Sequence, residues 1–199
     1  MELPSLEQKR QQFDEFFRIK HPIKVNLREL DADFALPSAE QLVEQMPYAF
    51  RIASEMSALE VAALRPLRNL SEHAADLVTF LNHQSRKIDL MMSYILHEQM
   101  RQDEQFVSHS FGGGGIVLCS PRAIPVGQQC ELRLFLEEEA AAVFCYGEVI
   151  ACEPVADQYH ISLFFNRLRE EDQELLVRAS LHLQTLQLRK RAKQRSESE

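Results

Sequence analysis

Phe106-Val-Ser-His-Ser-Phe-Gly-Gly-Gly-Gly-Ile-Val-Leu118 holds four of the chain's six glycines, Gly112 to Gly115, side by side. Ordering a glycine costs more backbone entropy than ordering any other residue. Four together therefore mark a turn needing positive φ, or a place where another group comes very close to bare backbone. The residues on either side, Phe106, Val107 and Ser110 before and Ile116, Val117 and Leu118 after, read as strands, whereas a flexible linker would have polar, structureless flanks. A Walker loop would end in Gly-Lys-Ser/Thr, to bring a lysine and a hydroxyl to phosphate and magnesium, but here Gly115 is followed by Ile116 and Val117. A dinucleotide fingerprint would open a helix whose N-terminal dipole meets a pyrophosphate, yet residues 116–119 look like strand. What remains is a strand, glycine turn, strand unit whose backbone amides and serine hydroxyls can face a ligand.

The sequence after the turn is β throughout. Residues 118–127 read as a loop. Residues 130–136 alternate apolar and polar, 143–152 form a long strand with a bulge expected at Gly147, and 159–165 form another. Short strands at such regular spacing suggest a small antiparallel barrel. A last helix is expected from about Arg169 through Leu175, Leu176, Ala179, Leu183 and Leu186, dissolving into the basic run 189–199. Before the turn, Leu6, Phe13, Phe16 and Phe17 have the spacing of a short amphipathic helix. Residues 18–30 then alternate Ile23, Val25 and Leu27 with polar residues, as a half-buried strand does.

Between these β parts, residues 38–102 carry helical periodicity. Ser38 with Gln41 forms a capping box, Pro47 and Pro66 mark breaks, and about three helices are expected. In the last of them Leu67, Leu70, Ala74, Leu77, Leu81, Gln84, Ile88, Met91 and Ile95 recur at alternating spacings of three and four, a heptad seam. Val78, Phe80, Met92 and Tyr94 widen the apolar stripe toward a bundle of several helices. The seam can pack against the chain's own Ile52, Met56, Leu59 and Ala63. A strict seven-residue repeat instead favours self-association into a dimer or tetramer, with Gln84 fixing register.

With 199 residues, 45% hydrophobic and 26% charged, the chain can bury a substantial core, and its formal charge of −8 argues against binding a nucleic-acid polymer. No apolar stretch approaches a membrane span and no signal peptide is evident, so a cytoplasmic location is expected. Cys119, Cys130, Cys145 and Cys152 lack metal or disulfide spacing and read as buried strand thiols. The seven histidines, His21, His73, His83, His97, His109, His160 and His182, show no ligand spacing and read as surface residues, so no metal and no catalytic residue is assigned. His109 beside Ser108 and Ser110 is no catalytic pair, because neighbours along a strand point to opposite faces. The acidic groups at 137–139 and 170–172 are explained by solvation and helix-dipole complementation.

The stretch from Ser108 to Leu118 resembles the Asp-x-Ser-x-x-Gly signature of the PilZ domain, a bacterial β-barrel module that receives cyclic di-GMP. Pro125-Val-Gly127, the strand 143–152, and the passage from Ile161 through Leu176 are similar to that domain's later strands running into its C-terminal helix. The resemblance implies an α+β fold: a small PilZ-like antiparallel barrel interrupted by a helical bundle with a heptad-repeat helix, plus a C-terminal helix. Residues 1–30 would supply a helix and the first barrel strand, 31–105 an inserted oligomerisation bundle, and 106–199 the rest of the barrel. In the family, paired arginines grip phosphate and guanine while Asp and Ser hold the other ligand face. Here Ser108 stands at the Asp position, Ser110 and Gly113 match, and Arg18 with Lys20, or Arg10 further back, stands for the arginine pair. Lysine lacks the planar fork, so cyclic di-GMP, the implied ligand, is expected to bind weakly or not at all. The implied role is a non-enzymatic signalling or adaptor protein acting on an unknown protein partner; the alternative is a working cyclic di-GMP receptor with non-standard ligand residues.

Overall fold

The structure is a computed structural model that describes residues 4–56, 75–100 and 104–196. Helix α1 (Leu6–Glu15) leads into β1 (Arg18–Ile19) and β2 (Lys24–Glu29). Helices α2 (Ala39–Gln45), α3 (helical over 48–56) and α4 (Ala75–Glu98) follow. Then come β3 (Gln105–Gly112), β4 (Gly115–Ser120), β5 (Gln129–Leu136), a 3-10 turn (Glu137–Glu139), β6 (Ala141–Val155), β7 (Gln158–Arg167) and α5 (Glu170–Ser196). Capping boxes at Ser5 with Gln8 and at Ser38 with Gln41 start α1 and α2.

The strands pair antiparallel in the order β3-β2-β5-β6-β7-β4, and β4 pairs back to β3, so the sheet closes into a barrel. The expected strand 18–30 is split in two. Both pieces lie along β3, with Arg18 opposite Gly112 and Val25 opposite Phe106, so residues before and after the helical segment share one closed sheet. Pro22, which has no backbone donor, falls in the gap between them. The expected bulge appears as a register shift between Tyr146 and Gly147 against β7, with a second shift between Val149 and Ala151.

Alternation fills the barrel. Val25, Leu27, Ile116, Leu118, Leu132, Leu134, Val143, Cys145, Ile161 and Leu163 point inward, and Leu176, Ala179 and Leu183 of α5 join the same cluster. The outer face also carries an apolar patch: Phe135 of β5 and Ala142, Phe144 and Tyr146 of β6 receive Leu42 and Met46 of α2, Phe50 and Ala53 of α3, and Met92 and Leu96 of α4. Burial on both faces of these two strands is what holds the helical segment against the barrel.

α5 departs from expectation by remaining helical through Ser196 instead of dissolving near residue 189. Asp172 is not a solvated helix-start acid either. It is buried and held by a two-pronged Arg169 guanidinium at 2.7 and 2.8 Å, whose Nη2 also reaches Ser54 of α3 at 3.0 Å. Burial raises its carboxyl above the usual carboxylate value, against the lowering effect of Arg169.

The glycine tract is enclosed by the chain itself. A Cβ on Gly115 would stand 2.3 Å from the Leu163 carbonyl oxygen and 2.4 Å from the Phe13 ring, and one on Gly112 would stand 2.1 Å from the Phe17 carbonyl oxygen. Backbone atoms cannot step aside as a side chain can. Gly115→Ala is therefore expected to lower the unfolding free energy by about 2–3 kcal/mol in urea denaturation, and Gly114→Ala by less, since its obstacle is the part-exposed Phe16 side chain.

Candidate functional site

Arg18 and Gly113 lie at the glycine hairpin and Ser108 further along β3, and the Arg18 guanidinium, the Ser108 hydroxyl and the Gly113 carbonyl are already engaged within the chain. None of Gly112 to Gly115 has positive φ, which among the described glycines belongs to Gly127 alone, so close approach, not turn geometry, explains the tract. The approaching groups are Phe13, Phe16 and Phe17 from the N-terminal side and Val177 and Gln173 from α5. Gln173 Nε2 donates to the Gly113 carbonyl at 3.1 Å. The surface of the turn that a ligand would meet is thus covered by two helices.

The Arg18 guanidinium donates to the Phe13 carbonyl, lies 3.9 Å from the Phe13 ring centroid and reaches Asp14 Oδ1 at 3.3 Å. Its backbone neighbour across the ladder is Gly112, so a cation does stand beside the turn. Arg10 points elsewhere, donating through Nε and Nη2 to the Ile150 carbonyl at 2.9 and 2.7 Å. Lys20 is exposed, and its carbonyl accepts from Gln187 Nε2 at 2.9 Å. Lys9, marked by no sequence motif, is buried and pairs with Glu148 at 2.6 Å, fastening α1 to β6.

Ser108 has a structural task. Its backbone N–H donates to the Ile23 carbonyl at 3.0 Å, its Oγ accepts from the Ile23 N–H at 2.9 Å, and its hydroxyl donates to the His21 carbonyl at 2.7 Å. The hydroxyl replaces the ladder bonds missing around Pro22, so β1 and β2 stay on one edge of β3. Ser110 is also buried. Between these serines the β3–β4 register shifts, leaving His109 as the extra residue of a bulge. His109 meets His160 of β7 with ring centroids 4.5 Å apart. Burial, then the positive charges of His160 and Lys20, holds its imidazole below the ordinary histidine value.

The helical segment offers a second candidate surface. On α4, Met92 and Leu96 are buried against the barrel, but Leu77 (54% exposed), Leu81, Ile88 (48%), Met91 (67%) and Ile95 face outward, as do Phe80, Leu90 and Tyr94; Gln84 is half-buried. Ile52 and Met56 are partly buried against the cluster that includes Met92 and Leu96. The seam residues Leu67, Leu70 and Ala74, with Leu59, Ala63 and Pro66, lie outside the described residues.

The sequence profile of the PilZ domain matches residues 83–182, half of the chain. The chain belongs to the PilZ domain family. No curated protein matches its sequence. Among solved structures, a Xanthomonas campestris protein described as a tetrameric PilZ domain self-assembled via a helical bundle is similar in fold, with a TM-score of 0.53 and 16% identity over 87% of this chain and 91% of that one. A Bacillus subtilis inhibitor of motility, MotI/DgrA, is more remote: TM-score 0.44 and 11% identity, covering 86% of this chain and 50% of the other. The PilZ match begins inside α4, so this chain's barrel takes β1 and β2 from outside the matched segment.

Removing the Ser108 hydroxyl strands a buried N–H and a carbonyl at once. Ser108→Ala is expected to cost about 1–3 kcal/mol of stability, read by urea denaturation.

Proposed function

We propose that this PilZ-family chain is a non-catalytic cytoplasmic signalling adaptor. It assembles with copies of itself through α4, as a tetramer or dimer, and acts through a protein partner in cyclic di-GMP-related control of bacterial motility, pili or biofilm. Nucleotide binding is weak or lost. The observation that carries the reading is the apolar outer face of α4, which one chain leaves in water although it repeats with coiled-coil spacing. The tetrameric, helical-bundle assembly described for the similar Xanthomonas protein supports the same use of the helical segment. No helix among the described residues is long and apolar enough to cross a membrane.

The loss of nucleotide binding is supported by how the family's ligand positions are spent. Ser108 closes a strand gap, Arg18 caps α1, and the glycine turn is covered by Phe16 and Val177. Forfeiting two charged, bidentate contacts at about 1.5–3 kcal/mol each weakens affinity by roughly two to four orders of magnitude. The competing reading, a working receptor using Arg18, Lys20, Ser108, Ser110 and Gly113, rests on the cation beside Gly112 and requires α1 to leave the hairpin.

Two measurements separate these. In isothermal titration with cyclic di-GMP, no saturable heat is expected in the micromolar range; saturable micromolar binding that Arg18→Ala abolishes would establish the receptor instead. In analytical ultracentrifugation the parent chain is expected to sediment as an oligomer and a Leu81→Glu, Ile88→Glu double variant as a monomer with unchanged far-ultraviolet circular dichroism. A parent that remains monomeric sinks the assembly through α4.

A further inference from the structure

Three side chains scattered in sequence converge on the outer face of the barrel at its closing seam. His109 lies on β3, Cys119 on β4 and His160 on β7, all half-buried, and one ligand-capable atom from each lies within 4.8 Å of the others. Strand register explains the meeting. Cys119 and His160 are directly opposed in the β4–β7 ladder, so their side chains leave the same face. The bulge between Ser108 and Ser110 sets His109 off the β3–β4 register near Cys119, and its ring lies against that of His160. The inward neighbours Leu118 and Ile161 are fully buried, which fixes the backbone on which the three stand.

Two imidazoles and one thiol make a borderline-to-soft donor set. It suits zinc and its late first-row neighbours and does not suit magnesium or calcium, which take oxygen ligands. Zinc imposes no directional preference of its own and bonds nitrogen at about 2.0–2.1 Å and sulfur at about 2.3 Å, which puts tetrahedral ligand atoms about 3.3–3.6 Å apart. Closing the present triangle to that size asks for small side-chain rotations on a rigid three-strand platform. We propose that His109, Cys119 and His160 bind one zinc-class divalent transition-metal ion, leaving a fourth position open to water or an outside donor. On binding, the Cys119 thiol gives its proton to solvent and its sulfur bonds the metal; no redox change is involved. The ion would staple β3 and β4 to β7, where the barrel closes, and is independent of how the glycine hairpin is used.

The test uses the full chain stripped with chelator and titrated with zinc chloride. Saturable binding of one ion per chain is expected, absent with magnesium chloride, and cobalt(II) should give a thiolate-to-metal charge-transfer band with intense tetrahedral visible bands. Cys119→Ser and His160→Ala should each weaken zinc by at least about tenfold and remove the cobalt signature, while Cys152→Ser, opposite Ile161 and packed toward the barrel interior, should change neither. A second readout needs no variant. Burial, then the charge of Glu29, pushes the Cys130 thiol up to about 12, and burial holds Cys145 well above the ordinary value, so alkylation near neutral pH reads Cys119 and Cys152. Zinc should protect Cys119 and spare Cys152. Zinc affinity unchanged in either ligand variant, or equal alkylation of Cys119 with and without zinc, overturns the proposal.

Discussion

β2 is the strand on which the barrel depends. It lies between β3 and β5, pairing three of its residues with β3 and all six with β5, so without it the sheet is an open ribbon with two unpaired edges. The strand arrives from the far side of the helical segment, and its continuity with β1 is interrupted at Pro22. The Ser108 hydroxyl repairs that interruption by serving His21 and Ile23 together. A residue that the family pattern places in a ligand motif is here part of the closure of the fold.

Closure also explains the glycines. Once β1 lies along the end of β3, the Phe17 carbonyl and the Phe13 and Phe16 rings press on the hairpin from one side and α5 presses from the other. A side chain at Gly112, Gly114 or Gly115 would press on residues 13–17, and one at Gly113 on Val177 of α5. The Lys9–Glu148 pair and the Arg10 bonds to Ile150 hold α1 in that place. Bare backbone at 112–115 therefore serves internal packing between chain ends, which changes what the motif implies for a nucleotide: the ligand would compete with the protein's own helix.

The helical segment works by having two faces. Phe135 of β5 and Ala142, Phe144 and Tyr146 of β6 make an apolar outer patch that α2, α3, the Met92–Leu96 edge of α4 and Leu30, Phe34 and Leu36 cover. The rest of α4 remains apolar and exposed, and a coiled-coil repeat is a costly thing to leave in water. Docking to the barrel and the proposed association between copies would thus draw on different stripes of the same helix.

The sequence by itself determined the later strands, the capping box at Ser38, the bulge near Gly147, the heptad stripe and the kinship with the PilZ domain. These follow from local periodicity and from residues with narrow backbone roles, which act over a few positions. The split of the first strand at Pro22 was legible only in retrospect, because a strand's partner across the sheet is not written in its own alternation. What the glycines touch, where Arg18 and Ser108 spend their bonds, and the meeting of His109, Cys119 and His160 were decided by tertiary structure alone. Each depends on strands far apart in sequence being set in register, and a one-residue shift would turn every one of those side chains to the other face.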